Sequence, residues 1–282
     1  MLMDRRSTFA GLAAGALLAP SMAMARQSPS LDLASPAGRL RSFSLMRAAL
    51  DEQLCSSWMK ARYYAVVEDR MEPLFGVVAA VFARYRPKPD GSLAAVSAEI
   101  AWFTDTETGA VLDEFRNPWT GKTVKVPEGG LSPSSYTIGR DLSLTLGRTV
   151  PGLEMKHEVL PIEARGKDVW MTERSSSAFT IPGTPRPFRY SESNILRADA
   201  RALSAKGAKR VTSDVGFTNV CSWRPWLEMG DHPGHMTASG MGKQNTTLDT
   251  FPPAWIEATK ARRPGFLDDP AKLLAPLWDK TA

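Results

Sequence analysis

Much of what usually announces a protein's chemistry is missing from this sequence. There are only two cysteines and three histidines in 282 residues, too few cysteines for a disulfide framework. Blocks of like charge are absent. The formal charge is +5, part of it from Arg5 and Arg6, and Lys260–Arg263 is the densest basic run. So thin a distribution gives no basic face for nucleic acid. Neither G-x-S-x-G nor G-x-G-x-x-G occurs. The Gly-Lys-Thr of residues 121–123 lacks the earlier glycine of a phosphate loop, because Arg116 stands there; a hairpin turn is expected instead. Ser57-Trp58-Met59-Lys60 fits S-x-x-K, but Ser213-Asp214 runs on to Val215 and K-T-G is absent, so a β-lactamase-type serine site is not supported. No internal repeat is present. The only candidate membrane segment, Phe9 to Leu18, is too short and too rich in Ala and Gly to span.

What is present begins with a leader. Arg5-Arg6, the apolar run and Ala23-Met24-Ala25 follow the charged, hydrophobic and A-x-A order of a secretory signal, expected to be cut after Ala25. The arginine pair resembles a twin-arginine export signal, with Phe9 one position later than usual; a Sec signal or uncleaved anchor is the alternative. The expectation is a soluble periplasmic protein with no stable membrane span. Twin-arginine cargo folds before crossing, so Cys55 and Cys221 would be thiols as the fold forms. Two separate buried thiols are expected; a bridge would require the fold to bring them together.

Residues 26–39 are rich in Pro and Ser and read as a flexible arm. Residues 40–282 read as a single β-rich domain. A short helix is expected around Leu40–Leu50, and then strand patterns dominate. Residues 62–68 and 73–86 are rich in aromatic and β-branched residues, the second apolar on both faces. Val96, Ala98, Ile100 and Trp102 alternate with Ser97 and Glu99, and Leu142, Leu144 and Leu146 alternate with polar neighbours. Residues 168–180 and 211–220 continue in that style, while 188–206 is ambiguous between strand and helix. Pro252-Pro253 opens a helix, and Asp269-Pro270 opens a shorter one. Many short strands with helices near both ends predict a mainly β fold, an antiparallel barrel or barrel-like sandwich, lipocalin-like in style.

The densest chemistry lies in CSWRPWLEMGDHPGH, residues 221–235. Trp223, Trp226 and Met229 recur every three residues, a spacing that suits packing as well as ligand binding. Asp231, His232 and His235 could begin a metal site, completed by His157 from a strand, although the turn offers few acceptors to fix the imidazole rings. An exposed turn is the plainer reading. His157 shares a strand face with Leu153, Met155 and Val159, where a histidine is commonly a hydrogen-bonded core residue and otherwise a base inside a barrel.

The order WFTDTETGAVLDEFRNPWTGKTV, then TNVCSWRPWLEMGDHPG, then Gly242-Lys243 and a Pro-Trp helix resembles the DUF1838 family, a domain of unknown function. The resemblance spans about residues 31–270 and implies one continuous domain. It marks Asn117, Trp119, Trp226, Asp231 and Lys243 as matching polar and aromatic positions. It also implies that His232 and His235 are peculiar to this chain, since Arg is common at the first position and the second varies.

The functional expectation is an exported protein binding a small apolar or aromatic molecule, handled without a cofactor by acid–base chemistry of the isomerase or lyase kind. His157 is the expected base, with Glu99, Asp231 or Arg62 orienting or stabilising charge; Trp102, Asn117, Trp119, Trp223, Trp226 and Lys243 are the expected ligand contacts. The alternatives are a metal-dependent hydrolase built on His232, His235 and Asp231, and a non-catalytic periplasmic module whose aromatics are core.

Overall fold

A computed structural model describes residues 31–181 and 186–281; the leader and the first part of the arm lie outside the described residues. Its strands are β1 (Cys55–Val67), β2 (Arg70–Pro87), β3 (Leu93–Thr104), β4 (Glu114–Arg116), β5 (Thr123–Lys125), β6 (Leu131–Ile138), β7 (Leu144–Leu146), β8 (Glu154–Val159), β9 (Glu163–Arg165), β10 (Asp168–Phe179), β11 (Phe188–Asp199), β12 (Ser213–Cys221) and β13 (His235–Thr246). The main sheet runs β7-β6-β3-β2-β1-β13-β12-β11-β10-β8, antiparallel throughout, with β9 beside β10. It curls into a nearly closed barrel, the mainly β architecture expected from the strand patterning. β4 and β5 form a separate hairpin across the Gly-Lys-Thr segment. Among the described residues, no helix is long and apolar enough to cross a membrane.

Helix α1 (Pro36–Arg47) begins inside the segment expected to be a flexible arm. Ser35 caps it by accepting from the Gly38 amide at 3.0 Å, and Pro36 occupies its first turn. Leu31 and Leu33 pack on the same cluster as α1. The ambiguous segment is both things: β11 runs to Asp199, whose carboxylate then caps α2 (Ala200–Ser204). Helices α3 (Pro253–Arg262) and α4 (Ala275–Trp278) lie near the C-terminus. Between them Pro270–Leu273 forms a 3-10 turn. Leu142 is not in a strand; it sits in a turn with φ 67°.

Strand alternation sorts side chains into apolar clusters at both ends of the barrel and outside the sheet. One end of the barrel is filled by Phe43 and Met46 of α1 with Cys55, Tyr85 and Leu196. The other end is filled by Phe75, Phe103, Phe217, Cys221 and Leu227. A third cluster lies outside the barrel, where Val78, Phe82, Ile100 and Trp102 are covered by Phe251 and Trp255; Val96 and Ala98 continue this face against Leu274 and Trp278. Trp255 Nε1 donates to the Ile100 carbonyl and Trp102 Nε1 to Thr259 Oγ1, both at 2.9 Å. β2 is apolar on both faces for this reason. The period of β3 is as read, and its apolar face is the outer one. Ser97, Glu99, Ala101 and Phe103 turn to the interior.

Candidate functional site

Between its two apolar ends the barrel carries a polar layer around two adjoining chambers of about 240 and 290 Å³. Met59, Ala79, Glu99, Glu192 and Phe217 line both. Glu99 reaches them from a point where the β3–β6 ladder is irregular. Ser97 pairs with Ser134 and Glu99 with Leu131, so β6 carries an extra residue beside Pro133, which has no amide to donate. The preceding loop crosses β3 closely here. A Cβ on Gly129 would lie 2.4 Å from the Ala101 carbonyl oxygen, and one on Gly130, at φ 135°, 2.6 Å from that of Glu99. Glycine alone permits that approach.

The two chamber carboxyls differ in their surroundings. Glu192 accepts from Tyr190 Oη at 2.9 Å, Ser175 Oγ at 3.2 Å and Asn194 Nδ2 at 3.3 Å. Among the described residues no side chain hydrogen-bonds Glu99. Burial pushes its carboxyl up to about 7, the charge of Glu192 adds to this, and Arg224 opposes it. Arg224 donates from Nη2 to Tyr63 Oη at 3.0 Å and lies over the Tyr63 and Phe103 rings at 5.3 and 5.5 Å. Tyr63 Oη also accepts from Asn219 Nδ2 at 3.0 Å, and burial raises its pKa. Trp226 closes the far wall, 5.2 Å from Phe75 and 5.4 Å from Phe103 between ring centroids.

A second charged cluster backs onto the chambers from the α1 end. Arg47, in the wall of the smaller chamber, donates from Nε to Glu173 Oε2 at 3.1 Å and from Nη1 to Tyr85 Oη at 3.2 Å. Glu173 Oε1 lies 2.9 Å from His157 Nε2. Burial alone would raise the Glu173 carboxyl, but Arg47 and His157 outweigh it and hold the group down at about 2. His157 faces inward as its strand pattern implies, yet lines neither chamber. Its ring is spent on Glu173, and its Nδ1 is buried without a partner among the described residues.

The model of a family described as a protein of unknown function, DUF1838, matches residues 51–129 and 184–276, more than half of the chain. The chain belongs to the DUF1838 family. Tyr63, Glu99, Glu192 and Arg224 lie in the matched segments; His157 and Glu173 fall between them. No curated protein matches. Among solved structures, a protein with a YmcC-like fold from Bacteroides fragilis NCTC 9343 is similar over 65% of this chain and 93% of its own, at 8% identity and a TM-score of 0.21, a likeness too slight to carry an argument.

The remaining expected site residues of this DUF1838 protein are dispersed. Arg62 is exposed on the outer face and donates to the Thr106 carbonyl at 3.1 Å, so it cannot assist Glu99. Trp102 belongs to the outer core. Asn117 is buried and structural: Nδ2 donates to the Leu227 carbonyl at 2.8 Å and Oδ1 accepts from the Trp119 amide at 2.9 Å, fastening the β4–β5 hairpin to the Trp226 segment. Lys243 borders the smaller chamber, but its ammonium is tied to Asp214 at 2.9 Å. Trp223 Nε1 donates to the His232 carbonyl at 3.1 Å, and Trp119 meets the His232 ring edge-on at 5.2 Å. Trp223, Asp231, His232 and His235 border an outer cleft of about 590 Å³, not the interior. Among the described residues no three His, Cys, Asp or Glu side chains are grouped to hold an ion. The hydrolase reading thus lacks its ligand set, because Gly230 and Gly234, at φ 56° and 101°, shape this stretch as a turn with His232 set among tryptophans. The residues sequence reasoning missed are Tyr63, Glu192, Tyr190 and Arg224. β11 held a signal: Phe188, Tyr190, Glu192, Asn194 and Leu196 share one face, apolar at its ends and polar in the middle.

Proposed function

We propose that this DUF1838 protein, exported by its leader, takes a small organic molecule into the polar layer of its barrel and acts on it by proton transfer at Glu99. The observation that carries this reading is a carboxyl in a chamber wall that no side chain among the described residues hydrogen-bonds, with a pKa raised to about 7. A group poised there exchanges protons readily near neutral pH. The groups facing it are Glu192 and Tyr190 from β11, Tyr63 from β1, Arg224 after β12 and Glu128 from the loop before β6. The base is then Glu99, with His157 a positioning residue that acts through Glu173 on Arg47. The mixed lining, Phe103, Phe217, Trp226 and Met59 beside carboxyls and phenols, fits a ligand that is part aromatic and part polar rather than wholly apolar. The chambers speak against a purely structural module, whose interior would be filled.

The test is to incubate a host-cell metabolite extract with wild type and with Glu99→Gln across pH 5 to 9 and follow every species by chromatographic retention and mass, so that an isomer of equal mass is resolved. Wild type should deplete one species with a rate limb near pH 7, and the variant should do so about a hundredfold more slowly. An unchanged extract, or equal depletion by both proteins, would overturn the assignment.

A further inference from the structure

Arg224 is an unusual residue to find in the wall of a barrel. Its Nη2 reaches the Tyr63 hydroxyl, its Nε is buried with no acceptor, and among the described residues no carboxylate forms an ion pair with it within 4.0 Å. Among the described residues its Nη1 has no hydrogen-bond partner either, and it is not among the closed-off atoms, so it remains accessible. Two residues on, Trp226 Nε1 is likewise buried without an acceptor among the described residues. Both residues line the larger chamber. The shortfall on this wall is therefore one of acceptors. Enclosing much of a guanidinium with no carboxylate in ion-pair contact is costly, and the two flanking rings offset only part of that cost. Arg224 also borders the outer cleft beside Trp223, so its side chain stands between that cleft and the chamber.

We propose that the Arg224 guanidinium is the docking point for the carboxylate of a small aromatic acid held in the chamber. This rests on the reading that the chamber binds a small molecule, and it names that molecule's class. The planar fork of a guanidinium matches a carboxylate. The Tyr63, Phe103 and Trp226 rings around it supply flat apolar walls for a ring-bearing body. A single negative charge suits the site better than a phosphate dianion, because Glu99 and Glu192 share the chamber. Tyr63 Oη already accepts from Arg224 and Asn219, so its own proton is available to donate to the same carboxylate.

The experiment compares benzoate, its neutral analogue benzamide and inorganic phosphate by calorimetric titration of the folded protein, wild type and Arg224→Met. Methionine keeps the apolar stem, so the variant should melt no lower than wild type in the absence of probe. Arg224→Lys, which keeps the charge and loses the fork, serves if the first variant does not fold. Benzoate should bind wild type and weaken about tenfold or more in either variant, while benzamide binds weakly and equally to all. Equal binding of benzoate and benzamide, unaffected by the substitutions, would remove the anchor and leave the chamber as a binding site. Tighter binding of phosphate than of benzoate would overturn the carboxylate assignment. Failure of both aromatic probes to bind wild type would remove the anchor and the chamber reading together. A variant melting well below wild type would show Arg224 to be a structural brace.

Discussion

Two glutamates on facing parts of one barrel are driven in opposite directions by their neighbours, and each leaves a separate mark on stability. Glu173, held at about 2 between Arg47 and His157, has a folded pKa below its unfolded value of about 4.5. Its contribution is fully present above that unfolded value and fades as pH falls towards 2. Glu173→Gln, which strands Arg47 inside the protein, should cost about 3 kcal/mol near neutral pH, and the loss should shrink below pH 4.5. Glu99 behaves oppositely. With a folded pKa of about 7, the native state keeps a proton that the unfolded chain releases from about pH 4.5 upward. Its contribution is fully present below the unfolded value and is lost as pH rises through 7. Glu99→Gln should therefore gain stability relative to wild type between pH 4.5 and 7 and hold that gain above. Urea unfolding of both variants at pH 3.5, 5, 6 and 8 measures the two slopes. Parallel curves for wild type and Glu99→Gln would mean that Glu99 titrates normally and has no special role.

At the scale of elements, the strand periods were legible and their facing was not. Alternation in β3 separates Val96, Ala98, Ile100 and Trp102 from Ser97 and Glu99 whichever side is buried. The choice of side is made elsewhere in the chain. Phe251, Trp255, Leu274 and Trp278 create a second apolar environment outside the sheet, and the larger apolar face of β3 goes there. That facing takes Trp102 out of the expected ligand site and leaves Glu99, expected only to orient or stabilise charge, in the chamber wall. The strand pattern turns His157 to the correct face, but it cannot show that Glu173, sixteen residues away, occupies the ring. The outer cover is thus an integral part of the barrel, and Trp255 is its keystone: fully buried, packed on Phe82 and Phe251, and bonded to the Ile100 carbonyl. Trp255→Ala should cost about 4 kcal/mol in urea unfolding. A loss below about 1 kcal/mol would show that α3 merely rests on the sheet.

At the scale of the whole molecule, the barrel is layered along its axis, apolar at both ends and polar between, and the two cysteines report on that layering. Cys55 opens β1 in the cluster beneath α1, where it pairs across to Ala83. Cys221 ends β12 in the opposite cluster, where it pairs with Met236 and so lies level with Ala65. Ten residues of β1 separate those levels, about 30 Å at the rise of a strand. A disulfide needs Cα atoms within about 7 Å, so the two thiols remain free in the fold whatever compartment holds it. Burial also pushes the Cys55 thiol up to about 12 and the Cys221 thiol up to about 11, which removes the thiolate that would react. The native protein should therefore show no thiol reactive to Ellman's reagent at pH 8, and two in guanidinium chloride. Its melting temperature should be the same with and without reductant. A melting temperature lowered by reductant would mean that the ends of the barrel are bridged, and the layered interior, with its polar chambers between two apolar plugs, would have to be abandoned along with the sites assigned to it.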